Sequence, residues 1–238
     1  MFNMAYFCAV GNPHKKNQDR VLANGKVIND GAFHTDLLPV INCFVADGIG
    51  SMENSENAAQ FVLDALNSQN DLLNPQNQAL LEETLREANN SLVQLNRKPG
   101  RYWDSATTLC GLSISDSGLL LANVGDSEIL CLRNDSISRI NTLHVLDDSV
   151  PNSPITSYLG SRNNRMRLDL YPSYADYLPG DILIVTTDGL RKAISDQSLI
   201  NILSQALPLS ERAFNLYQVL IAQDVPDNLG AVFIQAAL

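Results

Sequence analysis

Acidic residues stand where apolar runs end in this sequence, and one such arrangement occurs twice. The runs FVADGIG and IVTTDGL each lead a hydrophobic segment into Asp-Gly, at Asp47-Gly48 and at Asp188-Gly189. Asp-Gly is a favoured hairpin turn because both positions tolerate positive φ, but a hairpin needs a second strand directly afterwards. In both cases the following residues carry apolar side chains at helical spacing instead. The pattern therefore favours an acid presented at the C-terminal end of a strand.

Three further acids also stand at the boundaries of apolar runs. Asp126 follows such a run in ANVGDSE, Asp227 comes shortly before the last run, and Asp19 comes soon after the first. Each alone could be an ordinary turn or capping residue, but together with Asp47 and Asp188 they could share one end of a sandwich of strands. Carboxylates brought that close repel and raise one another's pKa unless a cation lies between them.

The donor atoms of these acids indicate which cation would suit them. Oxygen ligands without histidine or cysteine select a hard ion such as magnesium or manganese. Gly48 fits this interpretation, because a missing side chain lets a backbone carbonyl approach the same ion. Two divalent ions about 3.5–4 Å apart that share a carboxylate can ionise a bridging water and stabilise displacement at a phosphoryl group. The residues themselves thus suggest metal-assisted phosphoryl chemistry.

The composition argues against several other classes of protein. Of 238 residues, 45% are hydrophobic and 18% are charged, as in an ordinary globular protein. A net charge of −10 argues against a nucleic-acid partner and against an anionic membrane surface, because both require a basic patch. No apolar stretch approaches the roughly 18 residues of a membrane span, and the first residues read better as a strand than as a signal peptide.

The four cysteines lie in strand-like apolar runs without C-x-x-C spacing: Cys8, Cys43, Cys110 and Cys131. We expect them to be buried free thiols in a cytoplasmic protein. The three histidines form no spaced set with them, which argues against zinc.

The elements that must position the acids alternate irregularly along the chain. Apolar runs predict strands at 5–10, 41–46, 106–114, 119–124, 127–133, 181–187 and 231–236. Helical spacing of apolar residues predicts helices at about 55–69, 76–96, 195–207 and 210–223. This order is not the regular alternation of a doubly wound fold, and no repeat or linker divides the chain. We therefore expect an α+β fold in a single domain, with two packed antiparallel sheets and helix pairs outside.

Six segments, taken in order, carry a resemblance to a known family. The chain resembles the metal-dependent protein phosphatases of type 2C, the PPM family and especially its compact bacterial members, in NQD, FVADGIGSMENSENAA, SATTLCGLSI, ANVGDSEILCLRN, LPGDILIVTTDGL and the DN before the last strand. The series covers nearly the whole chain. It implies a single PPM-type domain over residues 1–238, with a central antiparallel β-sandwich flanked by pairs of helices on both sides, a four-layer α-β-β-α arrangement.

The resemblance also implies an activity and a metal requirement. The activity would be hydrolysis of phosphoserine or phosphothreonine on proteins, by a metal-activated water between two Mn or Mg ions and without a covalent enzyme intermediate. Asp47 would bridge the two ions and Gly48 would lend its carbonyl oxygen to one of them, while Asp188 and Asp227 would hold the other.

Further positions are assigned by the same resemblance. Asp126, together with Asp188, would bind a third and weaker ion, and Asp19 would orient the attacking water. The family usually grips the substrate phosphate with an arginine three residues before the asparagine of NQD, and this chain has His14 there. Lys15 or Lys16 could compensate, although an ammonium does not reproduce a bidentate guanidinium and solvated lysines are at least as good an interpretation.

Two alternatives stay open at this point. The missing phosphate arginine suits a catalytically impaired, phosphatase-like regulatory or binding module. A phosphohydrolase with an aspartate nucleophile also has an Asp after a hydrophobic strand, but it needs a second acid two residues later, where Ile49 and Leu190 stand. We further expect a monomer that acts on a phosphoprotein in signalling, and the weakly periodic segment 141–178 could form a flap that gates the substrate.

Overall fold

Strands that are buried along almost their whole length form the centre of this protein. The computed structural model describes residues 1–49, 52, 54–69, 77–97, 105–161, 166–173 and 177–237. Within these residues the chain forms twelve strands and five helices. Strands β5 (Val40–Ala46) and β7 (Gly118–Val124) are buried at every position but the first, because one face packs on the other sheet and the opposite face packs on helices.

The first sheet is antiparallel and has six strands. These are β1 (Phe2–Ala9), β4 (Gly31–Leu38), β8 (Glu128–Arg133), β9 (Ser136–Arg139), β11 (Ile182–Thr186) and β12 (Leu229–Ala236). Their order is β4-β1-β12-β11-β8-β9. Strands β1 and β12 pair along their full length, from Phe2 opposite Ala236 to Ala9 opposite Leu229. Segments from the beginning and the end of the chain therefore lie side by side inside this sheet.

The second sheet is also antiparallel and has six strands in the order β10-β7-β6-β5-β2-β3. Its other members are β2 (Arg20–Ala23), β3 (Lys26–Ile28), β6 (Leu109–Ser115) and β10 (Asp169–Ser173). A hairpin joins β6 to β7, with Ser115 opposite Gly118. The facing sides of the two sheets bury one apolar cluster, which includes Met4, Ile41, Leu112, Ile129 and Val232.

Two groups of helices cover the outer faces of the sheets. Helices α1 (Ser55–Asn67) and α2 (Gln78–Arg97) pack on the second sheet, and the stripe of α2 that does so contains Leu81, Leu85, Ala88 and Leu92. Helices α3 (Gly189–Ala193), α4 (Asp196–Leu203) and α5 (Leu209–Ile221) pack on the first sheet. The predicted sandwich with helices on both sides is confirmed, and its layers run helix, sheet, sheet, helix.

Several short or exposed elements were not predicted. Strand β4 is exposed or only partly buried at every position, so it lacks the apolar run that marks a buried strand. Helix α3 has five residues, which is too short to show a helical period. Of the segment 141–178, the structure describes turns and isolated bridges followed by β10, while 162–165 and 174–176 lie outside the described residues. Residue 76, the predicted start of the second helix, lies outside them as well.

The cysteines are buried and carry free thiols, as expected. Within the described residues, none of the helices has the length and apolar character needed to cross a membrane.

Candidate active site

One end of the sandwich gathers the five acids singled out in the sequence. Asp47 directly follows β5 and Asp126 comes two residues after β7, while Asp19 directly precedes β2; all three belong to the second sheet. Asp188 follows β11 and Asp227 precedes β12 in the first sheet. Antiparallel pairing joins the end of β5 to the start of β2, and the end of β11 to the start of β12. The ends of β5 and β11 and the starts of β2 and β12 therefore lie at the same end of the sandwich. Acids from both sheets converge at this end, which we call the site edge.

Two buried threonines fix the backbone of Asp47. The Asp47 N–H donates a hydrogen bond to Thr108 Oγ1 (3.1 Å), and the Thr108 N–H donates in return to the Asp47 carbonyl oxygen (2.9 Å). Thr107 Oγ1 donates to the same carbonyl oxygen (2.9 Å). Both threonine side chains are fully buried, and Thr108 Oγ1 also lies 2.9 Å from Ser127 Oγ. The backbone that carries the Asp47 carboxylate is thus fixed by hydrogen bonds at the end of β5.

Close packing, not turn geometry, explains the glycine of each Asp-Gly pair. Neither Gly48 nor Gly189 is among the residues with positive φ. A Cβ on Gly48 would lie 2.8 Å from the carbonyl oxygens of Gln18 and Ser55, and a Cβ on Gly189 would collide with the carbonyl oxygen of Asn228. The backbone at Gly48 is therefore packed among other main-chain oxygens next to Asp47, and neither pair is a hairpin turn.

The carboxyl groups raise one another's pKa. Burial is the largest cause that raises the pKa of Asp47 far above its usual range, and the charges of Asp19, Asp188 and Asp126 raise it further. Burial raises the pKa of Asp19 to about 7 and that of Asp126 to about 6, and in both cases the charge of Asp188 adds to the effect. Thr187 Oγ1 donates a 2.7 Å hydrogen bond to Asp19 Oδ2, which opposes this shift and fixes the side chain.

Lys192 lies between two of the acids. Its Nζ is 2.6 Å from Asp188 Oδ2 and 2.7 Å from Asp227 Oδ2. Burial alone would lower the pKa of Lys192, but these two carboxylates outweigh burial and raise it. His14 also contacts the group, with Nε2 at 3.2 Å from Asp227 Oδ1, while Lys15 beside it is exposed. The structure thus brings His14 to the acids, and a phosphate-binding role for His14 or Lys15 stays a prediction.

The surroundings of the acids fit divalent cations in two respects. Asp126 Oδ1 is buried and has no hydrogen-bond partner among the described residues. The available donors are carboxylate and carbonyl oxygens, which are the ligands of magnesium and manganese. Within the described part of the chain, however, no three acidic, histidine or cysteine side chains already form a finished ligand set. The ligand roles of the five acids stay predictions.

Comparison with known proteins decides the family. The family model described as protein phosphatase 2C matches residues 17–231, which is most of the chain. The chain belongs to the protein phosphatase 2C family. The predicted activity of this phosphatase, a metal-dependent protein serine/threonine phosphatase, and its use of Mn or Mg are thereby confirmed.

Individual relatives of the phosphatase are bacterial. A serine/threonine phosphatase, stp, of Listeria innocua is 25% identical over 203 residues, which cover 78% of this chain and 80% of that protein. The solved structure of the serine/threonine phosphatase Stp1 from Staphylococcus aureus aligns with a TM-score of 0.81 and 19% identity, covering 100% of this chain and 96% of that one. The catalytic domain of the phosphatase PstP in complex with two manganese ions aligns with a TM-score of 0.72 and 21% identity, covering 99% of each chain. At these identities the likeness to the solved structures shows a common fold.

A cleft of about 330 Å³ opens beside the acids of the phosphatase. Its lining includes Asp126, Asp188 and Lys192, together with residues of the segment 143–153. Glu128, which also lines the cleft, pairs with Arg139 (3.4 Å) and with Arg191 (3.6 Å). The described start of the segment 141–178 therefore borders this cleft, and a substrate-gating role for the segment stays a prediction.

Sequence reasoning missed three features of this site. Thr107 and Thr108 were noted only as part of a family segment, although two adjacent hydroxyl residues at a strand start are a recognisable signal. Lys192 was overlooked, although it stands four residues after Asp188, the spacing that brings side chains together on a helix. The hydrogen bond from Thr187 to Asp19 joins residues far apart in sequence and left no local signal.

Proposed function

We propose that this phosphatase hydrolyses phosphoserine and phosphothreonine in a protein substrate at the sandwich edge where Asp47 lies. The convergence of acids from both sheets on the Asp47 carboxylate is the observation that supports this location. The negative charges of these carboxylates repel one another, and this repulsion destabilises the protein unless positive charge is bound. The site edge is therefore suited to binding cations.

Each acid has a distinct role in the proposal. Asp47 would contribute to both metal positions, and the Gly48 carbonyl oxygen would help to hold one ion. Asp188 and Asp227 would hold the other ion, and Asp126 would contribute to a third, weaker position. When bound, the ions supply the positive charge that activates a water and balances the charge of the phosphate.

The remaining groups orient water and substrate. Asp19 is held by Thr187 and lies next to Asp47 in the electrostatic network, so we assign it to orienting the attacking water. His14, already in contact with Asp227, is the side chain that we assign to the substrate phosphate, with Lys15 as the second candidate. The cleft beside Asp126 and Asp188 is where the polypeptide around the phosphorylated residue would lie.

Neither alternative fits as well. An impaired binding module has no need for five acids that repel one another at one edge. An aspartate nucleophile needs a second acid two residues later, and Ile49 and Leu190 stand at those positions.

We also propose a single domain over residues 1–238 that works as a cytoplasmic monomer without nucleic-acid or membrane partners. Three continuous cores that link the helices to the two sheets support one domain. The free thiols support a cytoplasmic location. The net charge of −10 supports the absence of nucleic-acid and membrane partners.

A metal-titrated assay tests the catalytic assignment. Hydrolysis of a phosphothreonine peptide should require Mn or Mg and stop with chelator, and Asp47→Asn should lower kcat/KM by about 100-fold or more, since even indirect partners of metal sites cost about 10–100-fold. Asp64→Asn is the matched control, because Asp64 is exposed on α1 and bonded only locally to Gln60 in the described contacts. Full activity of Asp47→Asn in excess metal would refute the assignment.

A further inference from the structure

Lys192 reaches the acids because of where it lies on α3. Asp188 is the N-cap residue of this helix, and Lys192 stands four residues later. Side chains on a helix point back toward its N-terminus, so the ammonium is directed at the cap. Asp227, which comes just before β12, also contacts the ammonium.

The contacts of Lys192 use the oxygens that a metal ion would need. Asp227 Oδ2 is bonded to Lys192, while its Oδ1 lies 3.2 Å from His14 Nε2 and accepts a 2.9 Å hydrogen bond from the Asn228 N–H. Both oxygens of this carboxylate are therefore engaged. A divalent ion cannot bind Asp227 and Asp188 together on the same side as Lys192 without replacing the ammonium.

We propose that Lys192 is a tethered competitor for the cation position between Asp188 and Asp227. This inference rests on the proposed function, because that function assigns the position to a metal ion. The ammonium neutralises the two carboxylates while the position lacks a divalent ion and leaves when one binds. The metal position formed by Asp47 and Gly48 has no such competitor in the described contacts. The two positions should therefore bind divalent ions with unequal affinity.

Calorimetric titration of Mn²⁺ into the chelator-treated full chain tests the competition. Lys192→Met removes the charge and keeps the length of the side chain. Of the two Mn²⁺ ions assigned to Asp47, Asp188 and Asp227, and apart from the third position at Asp126, we expect it to raise the affinity of the weaker one by about 10- to 100-fold. This is the range expected when a charge-assisted hydrogen bond no longer competes. Arg191→Met is the matched control, because Arg191 is the adjacent cation on α3 but pairs with Glu128 and Asp196 instead; its Mn²⁺ affinities should match the wild type.

The outcomes separate this inference from the proposed function. Equal affinities and equal numbers of Mn²⁺ in wild type and Lys192→Met would overturn the competition and leave the proposed function standing. No Mn²⁺ binding to any variant would refute the metal site itself. If Lys192→Met lacks the circular dichroism of the folded wild type, Lys192→Gln, which keeps a polar end, decides by the same criterion. As a second readout, Mn²⁺ should raise the Tm of Lys192→Met, or of Lys192→Gln in its place, by more than it raises the Tm of the wild type.

Discussion

The surroundings of Asp126 raise the pKa of its carboxyl group, whereas those of Asp169 lower it. Burial raises the pKa of Asp126 to about 6, and its Oδ1 has no hydrogen-bond partner among the described residues. Burial would also raise the pKa of Asp169, but hydrogen bonds from Tyr171 (2.6 Å), Arg167 (2.8 Å) and His144 (3.0 Å) lower it to about 2. The first carboxylate therefore destabilises the chelator-treated protein at neutral pH, and the second stabilises it.

The same amide substitution should accordingly have opposite effects at these two acids. At pH 7 without metal, Asp126→Asn should raise the Tm by a few degrees and Asp169→Asn should lower it, since about 1 kcal/mol corresponds to about 2–4 °C in a chain of this size. At pH 4 the gain from Asp126→Asn should shrink, because folded Asp126 is then protonated, whereas the loss from Asp169→Asn should persist. Thermal unfolding followed by circular dichroism measures both, and a lower Tm for Asp126→Asn at pH 7 would contradict this account.

At the scale of elements, His144 ties the segment beside the cleft to the site edge. Its Nδ1 accepts a hydrogen bond from the Gly125 N–H (3.2 Å), which leaves the proton on Nε2 to donate to Asp169 on β10 (3.0 Å). The backbone N–H of His144 donates in addition to the Gly125 carbonyl oxygen (2.8 Å). The turn that ends in Asp126 is thus joined through one buried ring to an edge strand of the second sheet.

We expect His144→Ala to loosen this connection. It leaves the buried Gly125 N–H unsatisfied, at about 1–3 kcal/mol, and removes one of the hydrogen bonds to the partly buried Asp169 carboxylate. Urea unfolding of the chelator-treated protein should therefore show a loss of about 2 kcal/mol or more in the free energy of unfolding. His34→Ala is the control, since His34 is exposed on β4 and should change stability little. Equal stability of the two variants would show that the ring is not a structural link.

Prediction from the sequence succeeded where an element carries its own signal. Helices α1 and α2 have apolar stripes that bury on one sheet, and the strands beside Asp47 and Asp188 are apolar runs that end abruptly. Strand β4 was missed because it is an exposed edge that takes its conformation from pairing with β1. The contact of Lys192 with Asp227 was missed because the partners are 35 residues apart and meet only when β12 joins its sheet.

At the scale of the whole molecule, the acids make stability depend on pH. Asp19, with a pKa of about 7, and Asp126, with a pKa of about 6, titrate near 3.8 when unfolded. A carboxyl group whose pKa is raised by folding stabilises the protein fully below the unfolded pKa, and this contribution is lost as pH rises through the folded pKa. Without metal, stability should therefore fall between about pH 4 and about pH 7.

Added metal should reverse this trend. Mn²⁺ binds deprotonated carboxylates, so its stabilisation grows with pH and reaches about 2.7 kcal/mol at 100 times its Kd. Tm values measured from pH 4 to pH 7.5, with chelator and with Mn²⁺, should diverge as pH rises. A Tm that climbs with pH in the presence of chelator would contradict the assignment of raised pKa values to these acids.

The pairing of β1 with β12 has a consequence for how the enzyme forms. Because β12 is inserted between β1 and β11, the first sheet stays in two separate halves until segments from opposite ends of the chain have met. Pairing between segments so far apart in sequence slows folding, because the chain loses the entropy of closing a long loop before the new contacts stabilise it. Asp227 lies just before that same strand. Under its proposed role in metal binding, a chain in which β12 has not yet paired therefore lacks one of the metal ligands, and activity should appear no earlier than this pairing.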